Sequence, residues 1–408
     1  MRKTMVVMVV AVAMFAVGHA DWVSVGPAGG QIYSGTVTPG SPAVIYAAST
    51  NSSAPLLTSS DGGANWIPTA GALGSYPSVL ASHPTDPNTV FGVAGSVFYR
   101  STNAGANWSS FSFGSNTNGN DIAVNPLNPQ VIYSAGYKYD GTAWRPSCMK
   151  STNAGQNWTV SQLDTAASTT TYSCAIDPVD TNVVYAGGYV DTFTVCYKSV
   201  DCGATWTKYY FPTRYYYIYS FYISPTDRNI VFAGALNGIC RSTDAGQTWT
   251  RQATCSYNYR IVAAPDNPNV MYSAAYSSVY RSTDAGLTWT NSNSGLQGTN
   301  VRTVLTVPGE NGVVYCGSTA GMFKSTDYGL TWAPVNNGII IGRIPVVAVS
   351  PEEPGVVFAE FIDNAIFKTL DEGNTWQRQP TVLSCGNVCG IAFDANNPLM
   401  RWMFEGSG

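Results

Sequence analysis

A nine-residue motif occurs eight times along this chain and sets its architecture. Each copy carries Ser or Thr, then Asp or Asn, Gly and Trp at fixed offsets, as in "RSTDAGQTW" at 241–249. We call each copy a box. The boxes occupy 58–66, 100–108, 150–158, 198–206, 241–249, 281–289, 324–332 and 368–376. Their tryptophans lie 40 to 50 residues apart, a period typical of one four-stranded blade of a β-propeller.

A second marker, a Pro-containing turn after an apolar run, repeats out of phase with the boxes. It occurs at Pro39, Pro84, Pro126, Pro178, Pro225, Pro265, Pro308 and Pro351, with a degenerate ninth copy around Ala395. A β-rich run such as "VVYAG" follows each turn, and a run such as "VYR" leads into the next box. One unit therefore reads as four short strands joined by turns. Outside the N-terminus no helical period is sustained, so we predict an all-β chain.

The boxes have the composition of structural turns. A tight turn leaves backbone N–H groups that need acceptors, and Ser with Asp or Asn supplies them locally. We assign this role to Asp61, Asn103, Asn153, Asp201, Asp244, Asp284, Asp327 and Asp371. Because Asn103 and Asn153 lack the charge, we interpret the role as one of acceptance and not catalysis. Gly246 suits a positive φ, and the basic residue before each Ser is expected to point outward.

The box tryptophans are expected to cover the hairpin and the neighbouring blade. They are Trp66, Trp108, Trp158, Trp206, Trp249, Trp289, Trp332 and Trp376. Eight equivalent turns spread around a ring cannot converge on one ligand. We therefore expect function on the opposite face, in loops that do not repeat.

The two ends of the chain predict how it is exported and how the ring closes. Residues 1–20 have the basic start, apolar run and small residues of a secretory signal peptide, cleaved after about Ala20. Residues 21–408 then form a single propeller of eight or nine blades, in which strand 21–26 joins 390–408 in the last blade. Alternatively, the ring has eight blades with both ends packed outside, or the chain is a piece of a longer one.

Composition excludes some classes of partner. Charged residues make up 11% of the chain and the net charge is −4, which argues against nucleic acid. Export would permit disulfides among the nine cysteines; Cys385 and Cys389 could pair, and the other connectivities stay open. The cysteine spacings are irregular and the mature chain has one His, His83, so we expect no metal site and no cofactor.

The box resembles the Asp-box, or BNR repeat, of sialidases, xyloglucanase-type glycosidases, sortilin-type receptors and photosystem II assembly-factor propellers. The resemblance covers almost all of the mature chain and implies the propeller fold. A sialidase resemblance implies an Arg-Ile-Pro motif before the first box, whereas "GRIP" lies here at 342–345, after seven boxes. Segment 26–49 resembles the first blade of the xyloglucanase type. That family's catalytic Asp would follow this segment, but Asn51 stands there with no acid nearby.

Two sets of residues are candidates for a site on the loop face. Glu360 and Asp363 are the best carboxylate pair, since a glycosidase needs two carboxylates around the bond. The second set combines aromatic faces with polar tips, which suit sugars or peptides. It comprises Tyr209, Tyr210, Arg214, Tyr215, Tyr216, Tyr217, Tyr257, Tyr259 and Arg260, with the first six placed between strand four of one blade and strand one of the next.

From these patterns we predict a secreted, non-catalytic propeller. It would bind a polysaccharide, a peptide or a partner protein on its loop face or in its tunnel, where sortilin-type receptors bind peptides. Two alternatives stay open: a glycoside hydrolase of the xyloglucanase type, and a self-assembling extracellular component. The pattern predicts no membrane span beyond the signal and leaves the oligomeric state open.

Overall fold

The computed structural model describes residues 29–40, 42–50, 54–69, 73, 75–166, 169–190, 193–212, 217–296, 300–337, 339–341, 346–349, 353, 356–360, 366–370, 377–378, 387–393 and 401–406. In these ranges the chain forms 37 β-strands and no α-helix. Accordingly, they contain no helix of the length and apolarity needed to cross a membrane.

Short antiparallel strands, joined by the turns that the repeats mark, form the blades. Blade 1 holds β2 (Ile32–Val37), β3 (Ile45–Ser49), β4 (Leu56–Ser59) and β5 (Ile67–Pro68). Blade 2 holds β6 (Val79–Ser82), β7 (Val90–Ala94), β8 (Val97–Ser101) and β9 (Ser109–Ser112). Blade 3 holds β10 (Thr117–Gly119), β11 (Ala123–Val124), β12 (Ile132–Tyr139), β13 (Trp144–Ser151) and β14 (Thr159–Gln162). Blade 4 holds β15 (Thr170–Ile176), β16 (Val184–Val190), β17 (Phe193–Ser199) and β18 (Thr207–Tyr210).

Three further blades follow the same order. Blade 5 holds β19 (Ile218–Ile223), β20 (Val231–Ala235), β21 (Gly238–Ser242) and β22 (Thr250–Ala253). Blade 6 holds β23 (Arg260–Ala263), β24 (Met271–Ala275), β25 (Ser278–Ser282) and β26 (Thr290–Asn291). Blade 7 holds β27 (Thr303–Thr306), β28 (Val314–Ser318), β29 (Gly321–Ser325) and β30 (Ala333–Pro334).

The remaining strands form three smaller groups. The short β1 (Gly29–Gly30) pairs in parallel with β31 (Ile340–Ile341). A four-stranded sheet holds β32 (Val346–Val349), β33 (Val357–Glu360), β34 (Ile366–Thr369) and β35 (Gln377–Arg378). A hairpin holds β36 (Asn387–Phe393) and β37 (Arg401–Gly406), and it packs against β32.

The ring closes after seven blades. Contacts between innermost strands run from β2 to β6, β11, β15, β19, β23 and β27, and from β27 back to β2. The prediction of a propeller with four-stranded blades is therefore confirmed, but the predicted number of eight or nine blades is wrong. The eighth box unit forms the separate sheet β32–β35 and does not enter this cycle. Strand 21–26, predicted to close the ring, lies outside the described residues.

A repeated hydrogen-bonded clamp explains the closure. In blade 4 the Tyr185 hydroxyl and the Lys198 ammonium both donate to the Ala245 carbonyl in the box of blade 5, at 3.1 and 2.9 Å. In blade 7, Tyr315 and Lys324 donate in the same way to the Gly62 carbonyl, at 2.9 and 3.3 Å. Since Gly62 belongs to the box of blade 1, blade 7 holds blade 1 as each clamping blade holds its successor.

The clamp also changes the interpretation of the basic residues before the boxes. We expected them to point outward, but Lys150, Lys198 and Lys324 lie over the rings of Tyr133, Tyr185 and Tyr315, at 5.2 to 5.6 Å from the ring centroids. Their ammonium groups reach the next blade. Burying the aliphatic stem while the charged end finds a carbonyl is favourable for a lysine.

Within each described box the side chains satisfy the turn. In blade 5, Ser242 Oγ donates to Asp244 Oδ1 at 2.7 Å, and Gly246 N donates to Ser242 Oγ at 2.8 Å. The amide of Asn103 accepts from Ser101 Oγ at 3.0 Å and from Asn107 N at 2.8 Å, so charge is not needed there. Gly246 has a φ of +85°. Asp371 and Trp376, in the eighth box, lie outside the described residues.

The core lies between blades and includes thiols. One cluster joins Ile32 and Trp66 of blade 1 to Leu305 and Tyr315 of blade 7. Export would permit disulfides, but among the described cysteines Cys148, Cys174, Cys196, Cys202, Cys255 and Cys316 are free thiols. All but Cys202 are buried, where a thiol packs as a small apolar side chain. Cys385 and Cys389 lie in a segment whose side chains the structure does not describe.

Candidate functional site: the channel mouth

The seven innermost strands surround a cavity of about 530 Å³ at the centre of the ring. Each strand contributes side chains near its start, from Tyr33 of blade 1 to Arg302 of blade 7. The starts of these strands lie at the end of the blade opposite the boxes, because consecutive antiparallel strands alternate in direction. The cavity mouth therefore opens on the face that does not carry the boxes.

One position of the repeat forms the rim of this mouth. It lies six residues before the Pro turn in every blade of the ring and always lines the cavity. We call it the rim position; its members are Tyr33, Ser78, Asn120, Tyr172, Tyr219, Tyr259 and Arg302. Four members are tyrosines and one is an arginine. The fold thus places one side chain from each blade on a common circle.

Tyrosines extend the rim into a continuous arc over the mouth. We call it the tyrosine arc; it comprises Tyr33, Tyr76, Tyr172, Tyr189, Tyr217, Tyr219, Tyr257, Tyr259 and Tyr276. Neighbouring rings of blades 4 to 6 have centroids 4.7 to 6.1 Å apart. Such spacings suit tilted and edge-to-face aromatic contacts. Tyr76, Tyr257 and Tyr276 are 43%, 38% and 48% exposed, so the arc reaches solvent.

Arg302 joins the part of the arc in blades 4 to 6 to its part in blade 1. Its Cζ lies 4.2 Å from the ring centroid of Tyr259 and 5.1 Å from that of Tyr33, within cation–π range. Tyr33 continues to Tyr76, with centroids 6.1 Å apart. Burial raises the pKa of Tyr172 and of Tyr259 to about 12. The phenols therefore stay neutral at physiological pH and present hydroxyl groups that both donate and accept.

Tyr257 is held in an unusual backbone conformation. Its φ is +54°, in the left-handed region where a bulky side chain costs about 1–2 kcal/mol. Its backbone N–H donates to the Leu236 carbonyl at 2.7 Å and fixes the turn. Because the ring is 38% exposed, burial in the core does not explain a tyrosine here. A strained residue with an exposed aromatic ring is typical of a binding surface.

Asp121 is the acidic residue of the described cavity lining. It sits in the break between β10 and β11, and both its oxygens accept backbone hydrogen bonds. Ile122 N donates to Oδ1 at 2.8 Å and Cys174 N, on blade 4, donates to Oδ2 at 2.9 Å. Ser34 makes the equivalent contact one position after the rim, since it accepts from Leu80 N of blade 2 at 3.0 Å. The geometry therefore indicates that Asp121 bridges two blades.

Asp121 also makes stability depend on pH. Burial raises the pKa of its carboxyl to about 7, against the opposing effects of the two backbone donors and of Arg260. The folded protein then keeps this proton up to about pH 7, whereas the unfolded chain releases it near 3.8. The stabilisation is therefore complete below pH 3.8 and is lost as the pH rises through 7.

We expect the free energy of unfolding to fall between pH 4 and pH 8 by about 2–3 kcal/mol more in the wild type than in Asp121→Asn. Urea denaturation at one-unit pH steps measures this difference. Asp140→Asn is the control, because hydrogen bonds from Thr142 keep the pKa of the exposed Asp140 well below its usual range. Equal pH dependence in the wild type and Asp121→Asn would contradict the burial assigned to this carboxyl.

The structure brings together some of the residues that the sequence nominated. Tyr217, Tyr257 and Tyr259 belong to the arc, and Arg260 lines the cavity. Tyr209 and Tyr210 do not lie in a loop, because they pair with β17 in β18, the outermost strand of blade 4. There Tyr210 contacts Phe193, with ring centroids 5.7 Å apart.

Other nominated residues lie away from the ring or outside the described part. Arg214, Tyr215, Tyr216 and Asp363 fall outside the described residues. Glu360 ends strand β33 in the separate sheet β32–β35. In the part of the chain that the structure describes, no three His, Cys, Asp or Glu side chains lie close enough to hold a metal ion.

The sequence reasoning missed Tyr33, Tyr172, Tyr219, Asp121 and Arg302, which stand one per blade near the starts of the inner strands. The signal that finds most of them is alignment of the repeats on their Pro turns, which brings the rim position into one column. A search for aromatic runs gives weight to blades 4 to 6 and overlooks a lone arginine in blade 7.

No protein-family model matches the chain, and no curated protein matches it by sequence. Among solved structures, an ancestral GH74 enzyme aligns with a TM-score of 0.62 and 15% identity, over 95% of this chain and 68% of that chain. The GH74 xyloglucanase from Xanthomonas campestris aligns at 0.42 and 14% identity, over 83% and 62%. YCF48 bound to D1 peptide aligns at 0.40 and 14% identity, over 71% and 90%. The first alignment shows that this chain has the same type of fold, the β-propeller.

Proposed function

We propose that this protein is a secreted, non-catalytic propeller that binds a polysaccharide across the tyrosine arc. The observation that carries the proposal is the continuity of the arc over blades 4 to 6 and blade 1, bridged in blade 7 by Arg302, at the mouth of the channel. Aromatic rings offer flat apolar faces to the C–H faces of sugar rings, and their hydroxyl tips bond to sugar hydroxyls. A surface of this length suits an extended chain of several sugars.

The described cavity lining contains one acidic residue, Asp121, and this favours binding over hydrolysis. A glycosidase needs two carboxyl groups, about 5–5.5 Å apart for retention or 6.5–9.5 Å for inversion. Within the described lining Asp121 has no second carboxylate beside it, and both its oxygens are engaged by backbone N–H groups. A hydrolase of the kind represented by the GH74 neighbours would need another acid at this mouth.

The test compares the two faces of the ring. In the arc variant, Tyr257→Gly and Tyr276→Ala remove two exposed rings, and glycine accepts the positive φ at 257 without strain. In the control, Leu287→Ala and Leu330→Ala remove two exposed side chains, 52% and 56% accessible, from the boxes of blades 6 and 7. Affinity electrophoresis gives the dissociation constants, with gels that contain each polysaccharide found to bind the wild type.

We expect the arc variant to lose about tenfold or more in affinity, because buried aromatic contacts dominate binding energy. The control should stay within about twofold of the wild type. Equal affinity of the arc variant and the wild type would remove the arc from the binding site. An equal loss in both variants would place binding elsewhere or indicate a general defect.

A further inference from the structure

Arg302 is the charged member of the rim position, whereas its six counterparts carry uncharged side chains. Its Nε is buried without a hydrogen-bond partner, and no ion pair involves Arg302 or Arg260 within the described residues. The aromatic contacts with Tyr259 and Tyr33 stabilise the cation but accept none of its N–H groups. A buried donor without an acceptor is costly, and the cost is larger for a charged group.

The surroundings of Arg302 are positive and polar. Arg260 lies in the same lining and donates from Nη1 to the Gly35 carbonyl at 3.2 Å, so it reaches from blade 6 to blade 1. Thr303 Oγ1 and Ser220 Oγ are also buried without a partner, and both line the cavity. Among the described lining residues, three buried polar atoms therefore have no hydrogen-bond partner: Arg302 Nε, Thr303 Oγ1 and Ser220 Oγ.

Charge balance favours a negative ligand. The ionisable groups that face the described channel, apart from phenols and a thiol, are Asp121, Arg260 and Arg302. Asp121 accepts hydrogen bonds from Ile122 N and Cys174 N on the blade 3 to blade 4 side. Within the described residues it forms no ion pair with either arginine, although the charge of Arg260 lowers its pKa. The lining therefore carries a net charge of about +1 with Asp121 ionised and about +2 with Asp121 protonated.

We propose that the polysaccharide bound by the arc carries carboxylates, and that Arg302 pairs with the carboxylate of one uronic-acid unit at the channel mouth. This inference rests on the proposed function. A guanidinium presents its N–H groups in a plane that matches a carboxylate, and it keeps its faces for the two tyrosine rings. In a partly desolvated mouth such a pair is stronger than on an open surface. The sugar rings on either side would then stack along the arc.

The experiment uses three uronate polymers, polygalacturonate, alginate and hyaluronan, and the carboxyl-reduced neutral form of each. Full-length wild type, Arg302→Gln and Arg302→Lys are titrated with all six polymers at about 50 mM NaCl, where charges are weakly screened, and at about 300 mM NaCl, where they are strongly screened. Lys138→Gln is the control for net charge, because Lys138 is an exposed lysine on the long hairpin of blade 3. Circular dichroism confirms that each variant is folded.

We expect the wild type to bind at least one acidic polymer about tenfold more tightly than its reduced form. Arg302→Gln should bring this ratio to within about twofold, and Lys138→Gln should keep the wild-type ratio. Arg302→Lys should retain part of the preference, since lysine keeps the charge but not the planar fork. Even if Arg302→Gln does not fold, the wild-type ratio alone tests the inference.

Equal affinity of the wild type for acidic and reduced forms would overturn the inference and leave the proposed function standing. So would a preference that Arg302→Gln retains. If none of the six polymers binds, both the inference and the proposed function fail.

Discussion

Gly155→Ala is expected to lower the free energy of unfolding by about 3–5 kcal/mol. Gly155 belongs to the box of blade 3, and its φ of +85° is strained for alanine. A Cβ built there would lie 2.0 Å from Cε1 of Phe98 in blade 2. Phe98 cannot withdraw, because it is fully buried among Phe91, Phe113 and Trp158. The substitution therefore forces two blades apart.

Gly309→Ala is the matched control. Its φ is also +85°, but an added Cβ there would meet no atom within 4 Å. Backbone strain alone should then cost about 1–2 kcal/mol. Urea-induced unfolding of both variants and the wild type gives the comparison. Equal losses in the two variants would show that packing of the box against the preceding blade contributes nothing beyond backbone strain.

Trp249→Ala is expected to destabilise the protein by about 3–5 kcal/mol. The indole is 3% exposed and stacks on Phe211 with ring centroids 4.6 Å apart and planes at 16°. Its Nε1 donates to the Gly246 carbonyl at 3.1 Å, which ties the end of the box to its middle. Alanine would leave a cavity beside Phe211 and a buried carbonyl without its donor.

Trp144→Ala serves as the control for this variant. Trp144 is 41% exposed and contacts Tyr137 and Tyr139 on the hairpin of blade 3, with centroids 5.1 and 5.3 Å away. We expect a loss below about 1 kcal/mol there, because an exposed ring contributes mainly edge contacts. Thermal and urea unfolding measure both variants. A Trp249→Ala protein as stable as Trp144→Ala would contradict the role given to the box tryptophan.

The sequence patterns predicted the four-stranded blade correctly but not the number of blades in the ring. Box residues, Pro turns and strand lengths repeat because each blade needs the same local hydrogen bonds, so one blade resembles the next. Closure depends on which blade packs against blade 1, and in the structure blade 7 does so through strand contacts, shared core residues and the Tyr315–Lys324 clamp on Gly62. The eighth unit contains the same kinds of residue in sequence, so counting the repeats predicts more blades than the ring contains.

The site shows a similar division. Tyr257, Tyr259 and Arg260 of "SYNYR" lie together at the channel mouth, because the two tyrosines precede and Arg260 begins the innermost strand of blade 6. Tyr209 and Tyr210 were misplaced because strand β18 extends to Tyr210. Arg302 and Asp121 are each flanked in sequence by uncharged, non-aromatic residues, so no local pattern marks them. The curvature of the ring brings them to the same channel mouth as the tyrosines.

The boxes lie at one end of each blade and the arc lies at the other, so we expect substitutions at the two ends to affect different properties. On the box face, side-chain oxygens and clamps satisfy backbone groups and link neighbours, so substitutions there should affect stability. On the arc face, the exposed rings of Tyr76, Tyr257 and Tyr276 contribute little to the core, so substitutions of these rings should affect binding. The two classes of variant are therefore separable by one stability measurement and one affinity measurement.

The central claim, binding without hydrolysis, is tested most directly by incubating the purified full chain with a panel of neutral and acidic polysaccharides. Retention on each polymer and release of reducing sugar are measured in the same samples. We predict retention on at least one polymer with no reducing sugar above the level of the protein-free control. Release of reducing sugar, or retention on none of the polymers, would contradict the account.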